Sequence, residues 1–322
     1  MRASTSLLTL LLALTGLGAL AVGRYTLPPG DLLNALWEDA PTLHRRLLLD
    51  VRLPRILLAA IVGAGLAGAG AALQCLFRNP LAEPNLLGVT TGAAFGGVMV
   101  MTLTSGVWLV PGALTGGMLA LGAVIWLAGS HRQAGTGDTL LLILSGIVIS
   151  ALFSAGVSLL KLLADPQNQL PTIVFWLMGS LAAADYTRLA VALPCIGGGL
   201  LMLWLLRYPL MVLAVHGPET DRLLLARRLA LLAIGIITAA SVAVCGVVGW
   251  VGLVVPHLVR MALGNDHRTF MLHTFLAGAA YFIAVDTLAR SLSAVEIPLG
   301  VLTALLGAPM FAWLIVRLRK RS

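Results

Sequence analysis

The sequence is poor in charge. Only 11% of its 322 residues are Asp, Glu, Lys or Arg, whereas 59% are hydrophobic. With a mean hydropathy of +0.98, the chain lacks the polar surface that a water-soluble globule needs. Lysine is scarcer still: Lys161 and Lys320 stand alone, and neither follows a glycine-rich loop. No GxxxxGK[ST] phosphate-binding loop can therefore be written, so any ATP that drives this chain is bound elsewhere, and the chain is not read as an enzyme. Cysteine is limited to Cys75, Cys195 and Cys245, in or beside apolar segments and without the CxxC spacing of a metal or redox site. Ionisable residues are nearly missing from the apolar runs, where only Asp286 and Lys161 come close, both near predicted span ends that allow pairing or snorkelling. That scarcity argues against a carrier driven by protons or sodium, which needs such groups to bind its coupling ion.

What is abundant is apolar sequence in long runs. Stretches of roughly 18 to 22 residues recur, enough at about 1.5 Å per residue to cross a hydrocarbon core of about 30 Å. Read with Gly, Pro and charge as punctuation, they give ten candidate spans: about 6–23, 56–76, 86–104, 107–128, 139–163, 189–206, 229–249, 251–263, 270–288 and 298–316. The expectation is an all-α, polytopic membrane protein with about ten transmembrane helices in a single domain, 1–322. The first run, with Arg2 ahead of it and Ala-Leu-Ala at 19–21, could pass for a signal peptide. Its length and the topology of the remainder favour a retained span. Ten spans put both termini on one side, and that side carries thirteen of the 21 Lys and Arg residues, so the termini are expected to be cytoplasmic.

Five of the eight outer positive charges then lie between Arg24 and Arg55, where the rule disfavours them. Arg52 and Arg55 flank a proline at the mouth of the second span and meet either lipid phosphate or a partner. Within that span, Gly63, Ala67 and Gly70 recur on one face, which either lets another backbone approach or leaves room for a pathway. The run NPLAEP places Pro80 and Pro84 four apart, so helix cannot continue through it, and Glu83 there needs water or a partner. Asp286 and Arg290 are spaced to pair on one helix. In HGPETDRLLLARR, Pro218, Glu219 and Asp221 mark a helix start, with Arg227 and Arg228 towards the membrane. His257, Arg260 and His267 cluster in sequence, yet arginine opposes a cation and no carboxylate or cysteine completes a ligand set, so no metal site is expected.

Taken together, RLPR at 52–55, GAGLAGAGAALQ at 63–74, LFRNPLAEPNLLGVTTGAAFG at 76–96, FWLMGSL at 175–181, GLVVPHLVR at 252–260, GNDHR at 264–268, DTLAR at 286–290 and EIPLGVLTALLGAP at 296–309 resemble one family. It comprises the permease subunits of type II ABC importers for iron–siderophore complexes, haem and cobalamin. The resemblance implies a multi-pass protein of the bacterial cytoplasmic membrane, surrounded by lipid and without a nucleic-acid partner. A second permease copy or close relative would share the pathway, two ABC ATPase subunits would supply ATP and Mg, and a periplasmic or lipid-anchored binding protein would deliver cargo. No cofactor is expected on this chain. By the same resemblance, Arg52, Arg55 and Arg290 receive carboxylates of the binding protein, a task that suits guanidinium. Glu219, Thr220, Asp221 and Arg222 contact the ATPase, and Gly137, Asp138 and Thr139 lie at an inner gate.

Two departures from the family pattern stand out. Leu223, Leu224, Leu225 and Ala226 follow the acidic helix where a glycine is usual, so the break before the seventh span is expected to differ. Gly246-Val247 and Trp250 stand where Gly-Pro and an aromatic are common. The alternatives to an ATP-driven importer are an ion-coupled secondary transporter and a non-transporting membrane scaffold.

Overall fold

A computed structural model describes residues 2–23, 25, 43–104, 106–129, 137–216, 221–264, 269–293 and 295–319. Twelve helices are labelled here in chain order: α1 Arg2–Ala21, α2 Leu53–Phe77, α3 Val89–Leu103, α4 Leu109–Gly129, α5 Gly137–Leu163, α6 Gln169–Leu177, α7 Tyr186–Leu205, α8 Arg207–His216, α9 Asp221–Cys245, α10 Val251–Leu263, α11 Phe270–Ser291 and α12 Leu299–Arg319. A short helix, Leu43–Arg46, and a π-helical turn, Leu47–Arg52, lead into α2. Among the described residues, seven helices are long and apolar enough to cross a membrane, and α3, α10 and the described part of α12 are shorter apolar helices. These ten occupy the ten expected spans. The half-length helices α6 and α8 were not expected, because an apolar run of ten residues does not announce itself as a separate element.

α2 and α9 form the centre: 83% and 78% of their apolar windows are buried, against 6% in α1 and 17% in α5. α2 packs on α11, α9, α7 and α10, and α3 pairs with α4. The glycine-rich face of α2 explains the closeness. A Cβ on Gly70 would stand 1.9 Å from the Gly252 carbonyl oxygen, and one on Gly63 would stand 2.3 Å from that of Gly278. Ala67, fully buried, fills the space between them. Of the two readings of Gly63, Ala67 and Gly70, close approach rather than room for a pathway is what this face shows: backbone of α10 and α11 occupies it.

The break expected at NPLAEP is present, and its chemistry is local. Arg78 adopts a left-handed conformation (φ 50°, ψ 33°), which turns the Arg78 and Asn79 N–H groups back onto the Cys75 and Gln74 carbonyls at 3.3 and 3.2 Å. The chain resumes as a 3₁₀ turn, Pro84–Leu87, and Gly88 at φ 69° redirects it into α3. Glu83 finds its partner across the fold: its Oε1 accepts the Trp250 N–H at 2.6 Å, satisfying a donor ahead of the first turn of α10. The expected departure before the seventh span is also seen. α9 runs unbroken from Asp221 to Cys245, as a leucine- and alanine-rich opening, with no glycine before Gly235, allows.

Candidate functional site

α1 ends, and α2 begins, at one end of the bundle, termed the far end; the near end holds the start of α1 and the end of α2. At the far end the structure brings Arg52, Arg55, Asp286 and Arg290 together, as the motifs suggested, but in an arrangement the sequence did not show. Arg55 is the hub. Its Nε donates to both Asp286 oxygens at 3.1 and 3.0 Å and its Nη2 to Oδ1 at 2.8 Å. The outer edge of the same guanidinium donates to both Glu296 oxygens at 2.9 and 3.0 Å. Asp286 is 1% exposed and Arg55 8%, so the pair is withdrawn from solvent, while Glu296 remains partly open. Charges of this kind are tolerated among apolar helices only when their hydrogen-bonding capacity is met, as two carboxylates meet it here.

The expected pairing of Asp286 with Arg290 is secondary. Arg290 Nε lies 3.8 Å from Asp286 Oδ2 along α11, a distance of electrostatic contact without a hydrogen bond. Arg290 Nη2 donates instead to the Ala19 carbonyl, and Arg52 donates to the carbonyls of Leu20, Ala21 and Tyr25. Two guanidinium groups thus cap the last turn of α1, where carbonyls lack helical partners and the helix dipole is negative. Two of the three arginines expected to receive a binding protein's carboxylates are thus engaged within the chain. Arg52 and Arg290 are 4% and 8% exposed because the C-terminus of α1 and, two residues beyond it, Gly23 lie over them.

Glu296 was missed as a site residue. The signal was the acidic residue of EIPLG, which directly precedes α12, but only the fold places it beside Arg55, 241 positions away. Gln74 was missed too: its Nε2 donates to the Gly252 carbonyl at 3.2 Å and its Oε1 accepts from Arg260, tying α2 to α10. The expected gate residues Gly137, Asp138 and Thr139 open α5, and positions 133–136 before them lie outside the described residues. Of the residues expected to contact an ATPase, Asp221 and Arg222 open α9, whereas Glu219 and Thr220 lie outside the described residues, as does His267.

The sequence pattern of the FecCD transport family matches residues 10–317. The chain is 40% identical to the molybdate import system permease protein of Haemophilus influenzae, over 97% of this chain and 95% of that one. It is likewise 40% identical to the hemin transport system permease protein of Yersinia pestis, over 98% of this chain and 95% of that one. A solved inward-facing conformation of a putative metal-chelate type ABC transporter superposes with a TM-score of 0.86 at 38% identity, covering 98% of this chain and 100% of that chain.

Proposed function

The chain belongs to the FecCD transport family and is a multi-span permease subunit of an ABC importer, and from that premise we propose that it passes a metal already held in a chelate, macrocycle or oxyanion. The observation that carries this reading is the similarity, over nearly the whole chain, to permeases named for hemin, vitamin B12, iron chelatin and molybdate. Cargoes so different in shape share a metal centre that arrives fully coordinated. A permease for them needs a lining without strong ligands.

Two ATPase subunits and a separate binding protein complete the proposed transporter, with ATP and Mg on the ATPases. The termini face the cytoplasm, so the near end meets the ATPase through α8 and the start of α9, and the far end meets the binding protein. Arg52, Arg55 and Arg290 are the proposed landing point for its carboxylates. In the conformation described, landing at Arg52 or Arg290 competes with the α1 carbonyls, so docking and the seating of α1 are coupled. A second copy is proposed to pack along α5, whose exposed Leu144, Ile147, Val148 and Leu152 lack intrachain cover, with a gate where Gly137, Asp138 and Thr139 start that helix. The ion-coupled alternative is dropped: Asp286 is committed to Arg55 and Glu83 to the Trp250 N–H.

The test is uptake by vesicles holding the permease, its ATPase and its binding protein, supplied in turn with hemin, cobalamin, a ferric siderophore and molybdate. The expected result is accumulation of one of these that requires ATP and stops when the ATPase is inactivated. Flux that persists without the ATPase and follows an ion gradient would overturn the reading.

A further inference from the structure

At the near end, α2, α8, α10 and the start of α11 enclose a cavity of about 190 Å³ lined by Gln74, Arg78, Asn79, Arg207, Arg260 and Phe270, among others. None of its lining residues is acidic, and none of the three arginines forms an ion pair among the described residues. Neutral groups hold them instead. Arg78 Nε donates to the Leu213 carbonyl at 3.2 Å, Arg207 Nη1 to the Trp204 carbonyl at 2.8 Å, and Arg260 Nη2 to Gln74 Oε1. A guanidinium has five N–H donors, so each arginine is positioned with donors to spare.

Two further observations bear on what those donors receive. Arg207 lies 4.0 Å from the ring centre of Trp204 and 4.4 Å from that of Tyr208, and both rings are exposed. Exposed Trp and Tyr at the end of an apolar helix sit at headgroup depth in a bilayer, which places the cavity at the level of lipid phosphates. Leu210, Met211 and Ala214 of α8 form its apolar wall, suited to the glycerol and upper acyl portion of a lipid. Arg78, in turn, holds a left-handed backbone conformation at the end of α2, a position that ordinarily selects glycine. A large cation kept at an unfavourable backbone site points to a use for its side chain.

We propose that this cavity binds the phosphate headgroup of an anionic phospholipid in the leaflet at the near end, with Arg78, Arg207 and Arg260 donating to the phosphate oxygens. Guanidinium matches phosphate through paired hydrogen bonds, and basic pockets between helices at this depth take such headgroups. A soluble anion would engage the same donors without needing the apolar wall or the aromatic girdle.

The full-length permease, purified in detergent and titrated with phosphatidylglycerol or phosphatidylcholine, is followed by native mass spectrometry. The expected result is preferential retention of phosphatidylglycerol. Arg78→Gly combined with Arg207→Gln weakens it roughly twenty-five-fold, at about a factor of five for each basic residue near the headgroup. Glycine suits the backbone at 78, so this variant keeps its fold. Arg46→Gln, an exposed charge at the far end, leaves retention unchanged and controls for surface charge. Equal retention of the two lipids, an unaffected double variant, or an equal loss in the Arg46 control overturns the proposal. Displacement of phosphatidylglycerol by millimolar inorganic phosphate would make the cavity a free-anion site. Protection of the three arginines from phenylglyoxal by the ATPase subunit, but not by lipid, would assign it to a protein partner. Either result overturns the lipid reading.

Discussion

The bundle carries a cluster of three arginines at each end, and the two clusters are solved differently. At the far end, Arg55 is bound by the carboxylates of Asp286 and Glu296, and Arg52 and Arg290 donate to the last carbonyls of α1. At the near end, Arg78, Arg207 and Arg260 have one neutral acceptor each and no carboxylate among the described residues. One residue type thus does internal structural work in one place and faces a cavity in the other. Charge counts along the sequence do not separate the two; the presence of internal carboxylates at one end does.

The sharpest way to break the comparison is to remove the hub. Arg55→Ala leaves the buried Asp286 carboxylate without its cation and is expected to destabilise the fold by about 3–5 kcal/mol, the usual result of breaking a buried ion pair from one side. Arg55→Met with Asp286→Leu should recover most of that loss, because both charges of the hub pair are then gone. Thermal unfolding of the purified variants checks both. Charge reversal at Arg55 accordingly tests the fold before it tests docking.

Gly70→Ala comes next, at about 1–3 kcal/mol, since the new methyl meets the Gly252 carbonyl and must push α2 from α10. A melting temperature unchanged from the parent chain would mean that this contact yields freely. Glu83→Gln keeps an acceptor for the Trp250 N–H but loses the charge, and is expected to cost about 1 kcal/mol. Faster amide exchange at the start of α10 is the accompanying sign. The smallest effect is expected at the near end: Arg78→Gly exchanges a hydrogen bond to Leu213 for relief of left-handed strain, so stability should move by less than about 1 kcal/mol. If Arg78→Gly destabilised as much as Arg55→Ala, the contrast between the two clusters would fail.

Much of the fold was legible because the membrane constrains it. A segment crossing hydrocarbon must satisfy its own backbone as a helix of given length, so Ile56 to Cys75 or Leu141 to Leu162 announce themselves by hydropathy alone. The break at NPLAEP was equally readable, since Pro80 and Pro84 act on the local backbone. The site was legible only in part. RLPR and DTLAR named the arginines, but Glu296 and the α1 carbonyls that occupy them were hidden, because which donor meets which acceptor is settled by packing between distant segments. The glycine face of α2 was ambiguous for the same reason: a stripe without side chains accommodates either a neighbour or an opening.

The sequence by itself determined that this chain spans a membrane as helices and where its second helix must stop. Both follow from short-range chemistry: transfer of apolar side chains and proline geometry. Only the tertiary structure decided which arginines are neutralised and which line a cavity, and that Gly63 and Gly70 meet backbone. Those outcomes depend on angstrom-scale distances between residues hundreds of positions apart, and no local pattern encodes them.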